Sequence, residues 1–176
     1  KKLNAAFDRT VAYADGRPIW VPLSGGLDSR LVLAKLKERG YGNLNAFTYG
    51  VSGNHEIHMA RRVARQLNVP WRFIPSDLLN LERLYKSEAR LRYAQFADGL
   101  SVVPSYAEYE TLLRLKHSGV IEPGSVIVNG QSGDYLFGGH IPSRLQESPT
   151  LNEIAEYIVE KHCSHWPEML AHDKQK

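Results

Sequence analysis

The sequence has one cysteine, no long apolar run and little net charge. Cys163 alone excludes an internal disulfide framework and agrees with a reducing, cytoplasmic setting. No apolar run reaches the ~18 residues that a membrane span needs, and no signal-peptide pattern opens the chain. The 22 basic and 19 acidic residues give a formal net charge of +3, which is not a nucleic-acid-binding composition. We therefore expect no membrane partner and do not favour nucleic acid.

The chain is the size of one domain, because 176 residues with 43% hydrophobic content can bury a sizeable core. There is no internal repeat and no low-complexity segment. The sequence begins at Lys1 without a methionine. We expect residues 1–176 to be a single domain that is a fragment of a longer chain.

Strand and helix patterns alternate along the sequence. Strands are predicted at 19–23, 45–49, 71–74 and 125–129, the last apolar enough to be buried on both faces. Helices are predicted at 3–14, 31–39, 54–67, 76–96 and 106–116, and a last helix begins at Thr150, where Thr150 and Glu153 form a capping box. Strands separated by helices need crossover connections. The pattern therefore predicts an α/β fold, a doubly wound parallel sheet with helices on both faces.

The most informative segment runs from Ser24 to Ser29, Ser-Gly-Gly-Leu-Asp-Ser, between the first strand and a helix. Such a turn directs backbone N–H groups and the positive end of a helix dipole to one point, and Gly25 and Gly26 let an anion approach closely. The serines add hydroxyl donors, and Asp28 can hold a magnesium ion that bridges phosphates. The Walker A lysine is absent, so another phosphate-binding architecture is implied. The alternative is an ordinary turn whose Asp or Ser caps the helix.

A second segment, 129–139, follows the fourth strand and contains Asp134. In a parallel sheet the carboxyl ends of strands one and four can lie side by side. Asp28 and Asp134 could then face one Mg²⁺ from opposite sides. This arrangement suits an enzyme that holds ATP and a leaving phosphate group.

Three stretches together resemble the synthetase domain of the asparagine synthetase family, within the N-type ATP pyrophosphatases that carry an SGGxDS loop. They are the loop 24–29, the segment 47–50 with the helix that carries Glu56, Ala60 and Ala64, and the segment 130–139 with Asp-Tyr-Leu-Phe-Gly-Gly. The resemblance covers roughly Leu3 to His140. It implies the Rossmann-like fold of the adenine nucleotide alpha hydrolases.

The resemblance also implies an activity and a set of ligands. A substrate carboxylate or carbonyl oxygen would attack the α-phosphorus of ATP, pyrophosphate would leave, and ammonia from a glutaminase domain or partner would displace AMP. By position, the loop residues Ser24, Gly25, Gly26, Asp28 and Ser29 would hold the pyrophosphate and Mg²⁺, with Asp134 as the second metal ligand, and Leu23, Tyr49 and Gly130 would contact adenosine. Glu56 would lie near the substrate pocket, although a solvent-facing helix position is the simpler interpretation.

Differences from the family pattern narrow the range of expected substrates. Gln131 stands where the family has a Glu and cannot ionise, and Tyr135 replaces a second acid, so aspartate is disfavoured as the substrate. Arg30 resembles the asparagine-synthetase-like proteins found with capsule and lipopolysaccharide biosynthesis, which implies an amide-forming or sugar-modifying amidotransferase. Neither the glutaminase domain nor the catalytic lysine of the family is found in 1–176. We expect this piece to bind ATP without necessarily completing the reaction.

Other functions and sites stay open at this point. A tRNA-modifying enzyme with the same loop and a non-catalytic nucleotide-binding module are the two alternatives. His55, Glu56 and His58 lack the spacing of a zinc helix, and the histidines around Cys163 lack a second ligand pair. Arginines and lysines of two helices are interpreted first as a solvated face and second as a phosphate or RNA surface; they are Arg61, Arg62, Arg65, Arg83, Lys86, Arg90 and Arg92.

Overall fold

The computed structural model describes residues 1–97, 105–131, 133, 141–145 and 147–162. The chain divides into two compact units, Lys1–Gln131 and Ser132–Lys176. The organisation of 1–176 as a single domain stays a prediction. Among the described residues, no helix has the length and apolar character needed to cross a membrane.

The first unit alternates helices and strands as the sequence predicts. Its elements are α1 (Lys2–Ala14), β1 (Ile19–Pro22), α2 (Leu27–Glu38), β2 (Leu44–Gly50), α3 (His55–Gln66), β3 (Trp71–Pro75), α4 (Leu78–Tyr85), α5 (Glu88–Ala97), α6 (Tyr106–His117) and β4 (Val126–Ile127). The described part of the second unit has a 3₁₀ turn, Ser143–Leu145, and the helix α7, Leu151–His162.

The four strands form one parallel sheet in the order β3-β2-β1-β4. The chain runs outward from β1 to β3 and then crosses back to place β4 on the other side of β1. The order therefore reverses between β1 and β4, and open α/β sheets bind ligands at the carboxyl ends of strands beside such a point. The predicted α/β fold and the neighbouring position of the first and fourth strands are both confirmed.

Helices cover both faces of the sheet because side chains alternate along each strand. Ile19 and Val21 of β1 enter one buried cluster, while Trp20 between them enters another. The first cluster takes in buried side chains of α1, α2 and α3, and the second packs Trp20 and Phe47 against Leu115 of α6. Two separate cores, one on each face, hold the sheet rigid beneath its loops.

Three predicted elements differ from the structure by more than one residue at an end. The helix expected at 76–96 is two helices, because the Ser87 hydroxyl donates to Leu84 O at 2.6 Å and accepts from Arg90 N at 3.4 Å, which ends α4 and starts α5. The helix expected from Leu31 already begins at Leu27, since its polar first turn carries no apolar signal.

The fourth strand is shorter than predicted, Val126–Ile127 in place of 125–129, and it is half-buried instead of buried on both faces. Its position explains the difference, because β4 is an edge strand whose described strand neighbour is β1 alone. The predicted capping box of the last helix is confirmed. Glu153 N donates to Thr150 Oγ1 at 3.3 Å, and Thr150 N donates to Glu153 Oε2 at 2.8 Å.

Candidate functional site

The loop between β1 and α2 is closed by its own serine hydroxyls. Ser24 N donates to Ser29 Oγ at 3.0 Å, the two serine hydroxyls lie 3.0 Å apart, and Gly26 N donates to Ser24 Oγ at 3.1 Å. Gly26 is the N-cap of α2, and no side chain caps the helix. The alternative of an Asp or Ser cap is therefore wrong. The first amides of α2 are left for a ligand, as anion sites at helix N-termini require.

Two glycines allow other segments to pack against this loop. A Cβ on Gly25 would lie 3.0 Å from Glu56 Cγ and 3.1 Å from Glu56 Cα, at the start of α3. A Cβ on Gly130 would lie 2.6 Å from Ser29 N and 2.8 Å from Asp28 C, both backbone atoms of α2. Any larger residue at position 130 must displace the helix start. The loop is thus held between the first turn of α3 and the segment that follows β4.

Arg30 holds the loop from its outer side. Its Nε donates to Gly26 O at 2.9 Å, and Nη2 donates to Gly25 O. Arg30 does not line the cavity described next. By binding both carbonyl oxygens, the guanidinium fixes the two glycine peptides in one orientation.

A cavity of about 330 Å³ opens at the carboxyl ends of β1 and β2 beside this loop. The residues that line it come from β1 and its loop, β2, the starts of α3 and α6, and the segment after β4: Pro22, Leu23, Ser24, Gly26, Asp28, Ser29, Phe47, Thr48, Tyr49, Glu56, Glu108, Asn129, Gly130 and Gln131. Three of them are carboxylates, Asp28, Glu56 and Glu108. Among the described residues no lysine, arginine or histidine lines it, so the three carboxylates would repel a polyanion that came without a cation.

Buried hydrogen bonds fix the floor of the cavity. The Thr48 hydroxyl donates to Leu23 O at 2.6 Å and accepts from the Trp71 indole N–H at 2.9 Å, which ties together β1, β2 and β3. Thr48 is 5% exposed, so these bonds satisfy a buried hydroxyl. The floor is therefore a rigid support for the loop.

Tyr49 stands on one wall in a partly desolvated position. Burial raises the pKa of its hydroxyl, and the Glu108 carboxylate raises it further, while a hydrogen bond with Ser105 lowers it. The phenol therefore stays neutral at physiological pH and can donate or accept one hydrogen bond.

The structure brings most of the predicted site residues to this one cavity. Its lining includes every predicted position except Gly25, which packs against α3, and Asp134, which lies outside the described residues. The pairing of Asp28 with Asp134 on one magnesium ion therefore stays a prediction, as do the roles of the other residues. Glu56 is exposed at the helix start, yet it also lines the cavity, so both of its interpretations hold in part.

Sequence reasoning missed Glu108 on α6 and the paired role of Thr48. Glu108 belongs to no motif, and Thr48 lies in the segment 47–50 of the family resemblance, but nothing in that motif indicates its two hydrogen bonds. Gln131, noticed for its lack of charge, is on the lining.

The other sequence candidates do not form sites among the described residues. In that part of the chain, no three His, Cys, Asp or Glu side chains converge as a metal site would require. Arg61, Arg62 and Arg65 are exposed. Lys86 pairs with Glu82 at 2.5 Å, and Arg92 pairs with Glu88 at 3.5 Å, as expected for a solvated face. Arg90 departs from that expectation, because it is half-buried and its guanidinium lies 4.8 Å from the centroid of the Tyr85 ring.

A second cavity of about 280 Å³ lies at the opposite, amino ends of the strands. Its lining residues are Pro18, Trp20, Asn43, Asn45, Pro70, Arg72, Val120 and Glu122. Its described lining contains no glycine loop and no helix N-terminus, and the described residues of the sequence motifs that line a cavity line the first one.

The parallel α/β sheet carries the Ser-Gly-Gly-Leu-Asp-Ser loop at its switch point. Comparison of the sequence with protein families gives a match to asparagine synthase over residues 2–174. The chain belongs to the asparagine synthase family, which confirms the family predicted from the sequence.

Individual proteins are similar to parts of this chain or to its fold. The 7-cyano-7-deazaguanine synthase of Polynucleobacter asymbioticus is 37% identical over 68 residues, which are 38% of this chain and 28% of that protein. The solved NH3-dependent NAD synthetase of Campylobacter jejuni superposes with a TM-score of 0.52 at 20% identity, over 78% of this chain and 57% of that chain, and supports the fold alone. A predicted tRNA methyltransferase subunit of Methanocaldococcus jannaschii, 19% identical with a TM-score of 0.39, is too distant to inform the fold. The chain spans 28% of the length of the first of these proteins and 57% of the length of the second, less than two thirds of either.

Proposed function

We propose that this chain binds ATP with Mg²⁺ in the cavity at the β1–α2 loop and activates a substrate carboxylate or carbonyl oxygen as its adenylate. The observation that carries the proposal is the convergence of loop amides, two serine hydroxyls and the Asp28 carboxylate on one cavity at the switch point. Amides and hydroxyls are donors for phosphate oxygens, and a carboxylate suits magnesium.

The residues present fit both the nucleotide and the metal. A Cβ at Gly26 would contact the Ser24 hydroxyl, and a Cβ at Gly130 would contact the backbone of α2. The two glycines therefore leave the space beside the β1–α2 loop free for phosphate. The cavity has three carboxylates and no basic side chain among the described residues, which calls for a cation beside a polyphosphate. Mg²⁺ held by Asp28 would neutralise the charge that develops on the departing pyrophosphate.

In the proposed reaction, a substrate oxygen bonds to the α-phosphorus while the bond from that phosphorus to the pyrophosphate oxygen breaks. An ammonia nitrogen then bonds to the activated carbon, AMP leaves with the substrate oxygen, and the nitrogen loses a proton. Ser24, Ser29 and Gly26 N would bind the phosphate oxygens, and Leu23, Tyr49 and Gly130 would border adenosine. The chain's contribution is placement, which dominates nucleotidyl transfer.

The nitrogen source and the acceptor are the finer parts of the proposal. We propose a cytoplasmic amidotransferase whose ammonia comes from a glutaminase domain or partner. Gln131 on the cavity lining supports an acceptor other than aspartate, because an amide cannot serve as a proton-accepting carboxylate. Arg30 supports a role in polysaccharide biosynthesis only through its resemblance to that branch of the family.

The test is calorimetric titration of the 176-residue chain with ATP, in Mg²⁺ and in excess chelator. ATP should bind in Mg²⁺ and at least tenfold more weakly without it. Asp28→Asn should weaken Mg²⁺-dependent binding by about 10- to 100-fold, because it removes the metal carboxylate. Glu38→Gln is the matched control, since Glu38 lies at the other end of α2 in an exposed pair with Lys35.

Equal affinity with and without Mg²⁺, or wild-type behaviour of Asp28→Asn, would contradict the proposal. Product analysis then separates an enzyme from a binding module. Incubation of the full-length protein with candidate acids and labelled ATP should yield AMP and pyrophosphate, whereas tight binding with no AMP from any of them would favour the module.

A further inference from the structure

Glu108 is an acid on the cavity lining that no sequence motif indicates. It lies in the first turn of α6, where its backbone N–H donates to the Ser105 hydroxyl at 3.4 Å. Its side chain is half-buried and lines the same cavity as the β1–α2 loop. Among the described residues, no side chain or backbone group donates a hydrogen bond to its carboxylate.

The neighbouring acid on α6 shows what a structural carboxylate looks like in this helix. Glu110 is 6% exposed, and its Oε1 lies 2.7 Å from Arg114 Nε. Glu110, which does not line the cavity, has a cation beside it, whereas no ion pair to Glu108 is found in the part of the chain that the structure describes. An acceptor group left open on a cavity wall is available for a ligand.

The surroundings of Glu108 are aromatic and firmly packed. Its charge raises the pKa of the Tyr49 hydroxyl and of the Tyr93 hydroxyl, in each case after the larger effect of burial. The Tyr93 ring stacks on Tyr109 at 4.0 Å between centroids and meets Tyr106 edge-on at 6.0 Å. The carboxylate therefore lies close enough to Tyr49 to act on its hydroxyl, on a wall whose neighbouring aromatic rings pack against one another.

The chemistry of ATP limits what such a group can contact. A carboxylate only accepts hydrogen bonds, and the triphosphate offers it none and repels it. The donors of ATP are in its nucleoside, namely the exocyclic amine of adenine and the ribose hydroxyls. Acids bind ribose hydroxyls in the same way in other open parallel sheets.

We propose that Glu108 is a specificity-determining residue of the nucleotide site, whose carboxylate accepts hydrogen bonds from the N–H and O–H donors of the bound nucleoside. The inference rests on the proposed function, because it assumes that ATP occupies the cavity. It adds that α6 contacts the nucleoside of ATP, while the β1–α2 loop binds the phosphates.

The test compares four Mg²⁺-nucleotides on the full chain by calorimetry: ATP, 2′-deoxy-ATP, 3′-deoxy-ATP and ITP, which lacks the exocyclic amine. Wild type should bind at least one of the three analogues about tenfold more weakly than ATP, and that analogue identifies the donor. Glu108→Leu should bind ATP about tenfold more weakly and should no longer distinguish it from that analogue. Glu108→Gln keeps an acceptor oxygen and should lie between the two.

Glu122→Gln is the control, because Glu122 is an exposed acid of the opposite cavity and should leave all four affinities unchanged. If wild type binds ATP but Glu108→Leu and Glu108→Gln weaken all four nucleotides equally, or none, this inference alone is overturned. Failure of wild type to bind ATP would overturn the proposed function with it. Should Glu108→Leu not fold, the Gln variant decides by the same comparison.

Discussion

The two ends of the sheet carry cavities of similar size and opposite character. The cavity at the carboxyl ends of the strands, about 330 Å³, is lined by glycines, serine hydroxyls and three carboxylates. The cavity at the amino ends, about 280 Å³, is lined by prolines, asparagines, Trp20 and the pair of charges on Arg72 and Glu122. Size does not distinguish them, so their difference must come from how the chain enters and leaves the sheet.

Chain direction explains the difference. At the carboxyl ends, β1 and β2 lead into the first turns of α2 and α3, so the positive ends of two helix dipoles meet there, and α2 has no side-chain cap on its first N–H groups. At the amino ends, the chain arrives from the last turns of helices, whose free groups are carbonyls, and Pro18 and Pro70 offer no N–H. A parallel sheet therefore has one end suited to phosphate and one that is not.

The largest effect is expected from a side chain placed between Gly130 and the start of α2, at the carboxyl ends of the strands. Gly130→Ala would place a Cβ 2.6 Å from Ser29 N, and a backbone atom cannot move aside as a flexible side chain can. We expect a loss of about 1–3 kcal/mol in the free energy of unfolding, as for an overpacked core, together with at least tenfold weaker ATP binding. Urea unfolding and calorimetry measure the two effects.

Gly42→Ala is the control for this change, because nothing lies within 4 Å of a Cβ at that position. Its free energy of unfolding and its affinity for ATP should equal those of wild type. Normal stability of Gly130→Ala would mean that the loop and the segment after β4 are not in the contact described.

A smaller effect is expected from removing the Arg30 side chain, which binds the two glycine carbonyl oxygens of the loop. Arg30→Leu removes the donors to Gly25 O and Gly26 O, so the glycine peptides gain freedom to turn. ATP affinity should fall about three- to tenfold, while the free energy of unfolding changes by no more than about 1 kcal/mol. Hydrogen exchange at Gly25 and Gly26 should accelerate, which reports the loop directly.

Lys37→Leu is matched to it, because Lys37 lies near the other end of the same helix and donates to the Asn68 carbonyl at 3.3 Å. It should leave ATP affinity unchanged. If Arg30→Leu and Lys37→Leu behave alike, the guanidinium has no special part in orienting the loop.

The smallest effect is expected at the amino ends. Arg72→Ala removes the cation of the second cavity. Because Arg72 is exposed, we expect the ATP affinity to change by less than about twofold and the free energy of unfolding by no more than about 0.5 kcal/mol. A clear loss of ATP binding would break the distinction between the two ends and direct attention to the second cavity.

The sequence predicts much of the carboxyl end because its signals are local. The Ser24–Ser29 loop lies between an apolar strand and a helix, and the alternation of strands and helices is enough to place it at one edge of a parallel sheet. The capping box at Thr150 and Glu153 is equally local, since three residues contain the whole interaction. Such features depend on neighbours in the chain and can be seen without the fold.

What could not be predicted depends on packing between distant segments. The contact of Gly130 with Ser29 depends on the register of β4 against β1, and no sequence signal predicts that register. Glu108 reaches the cavity only because α6 packs across Trp20 and Phe47. The break at Ser87 arises from one hydroxyl that bonds in two directions, and the apolar stripe of the region continues through it.

The seating of Gly25 and Gly130 has a thermodynamic consequence. Because α3 and the segment after β4 hold the loop from two sides, the loop loses its conformational entropy when the chain folds and not when a ligand arrives. A nucleotide would meet a cradle already in its final shape, so its association should need little ordering of the backbone. The same rigidity means that this loop cannot double as a mobile cover over the nucleotide.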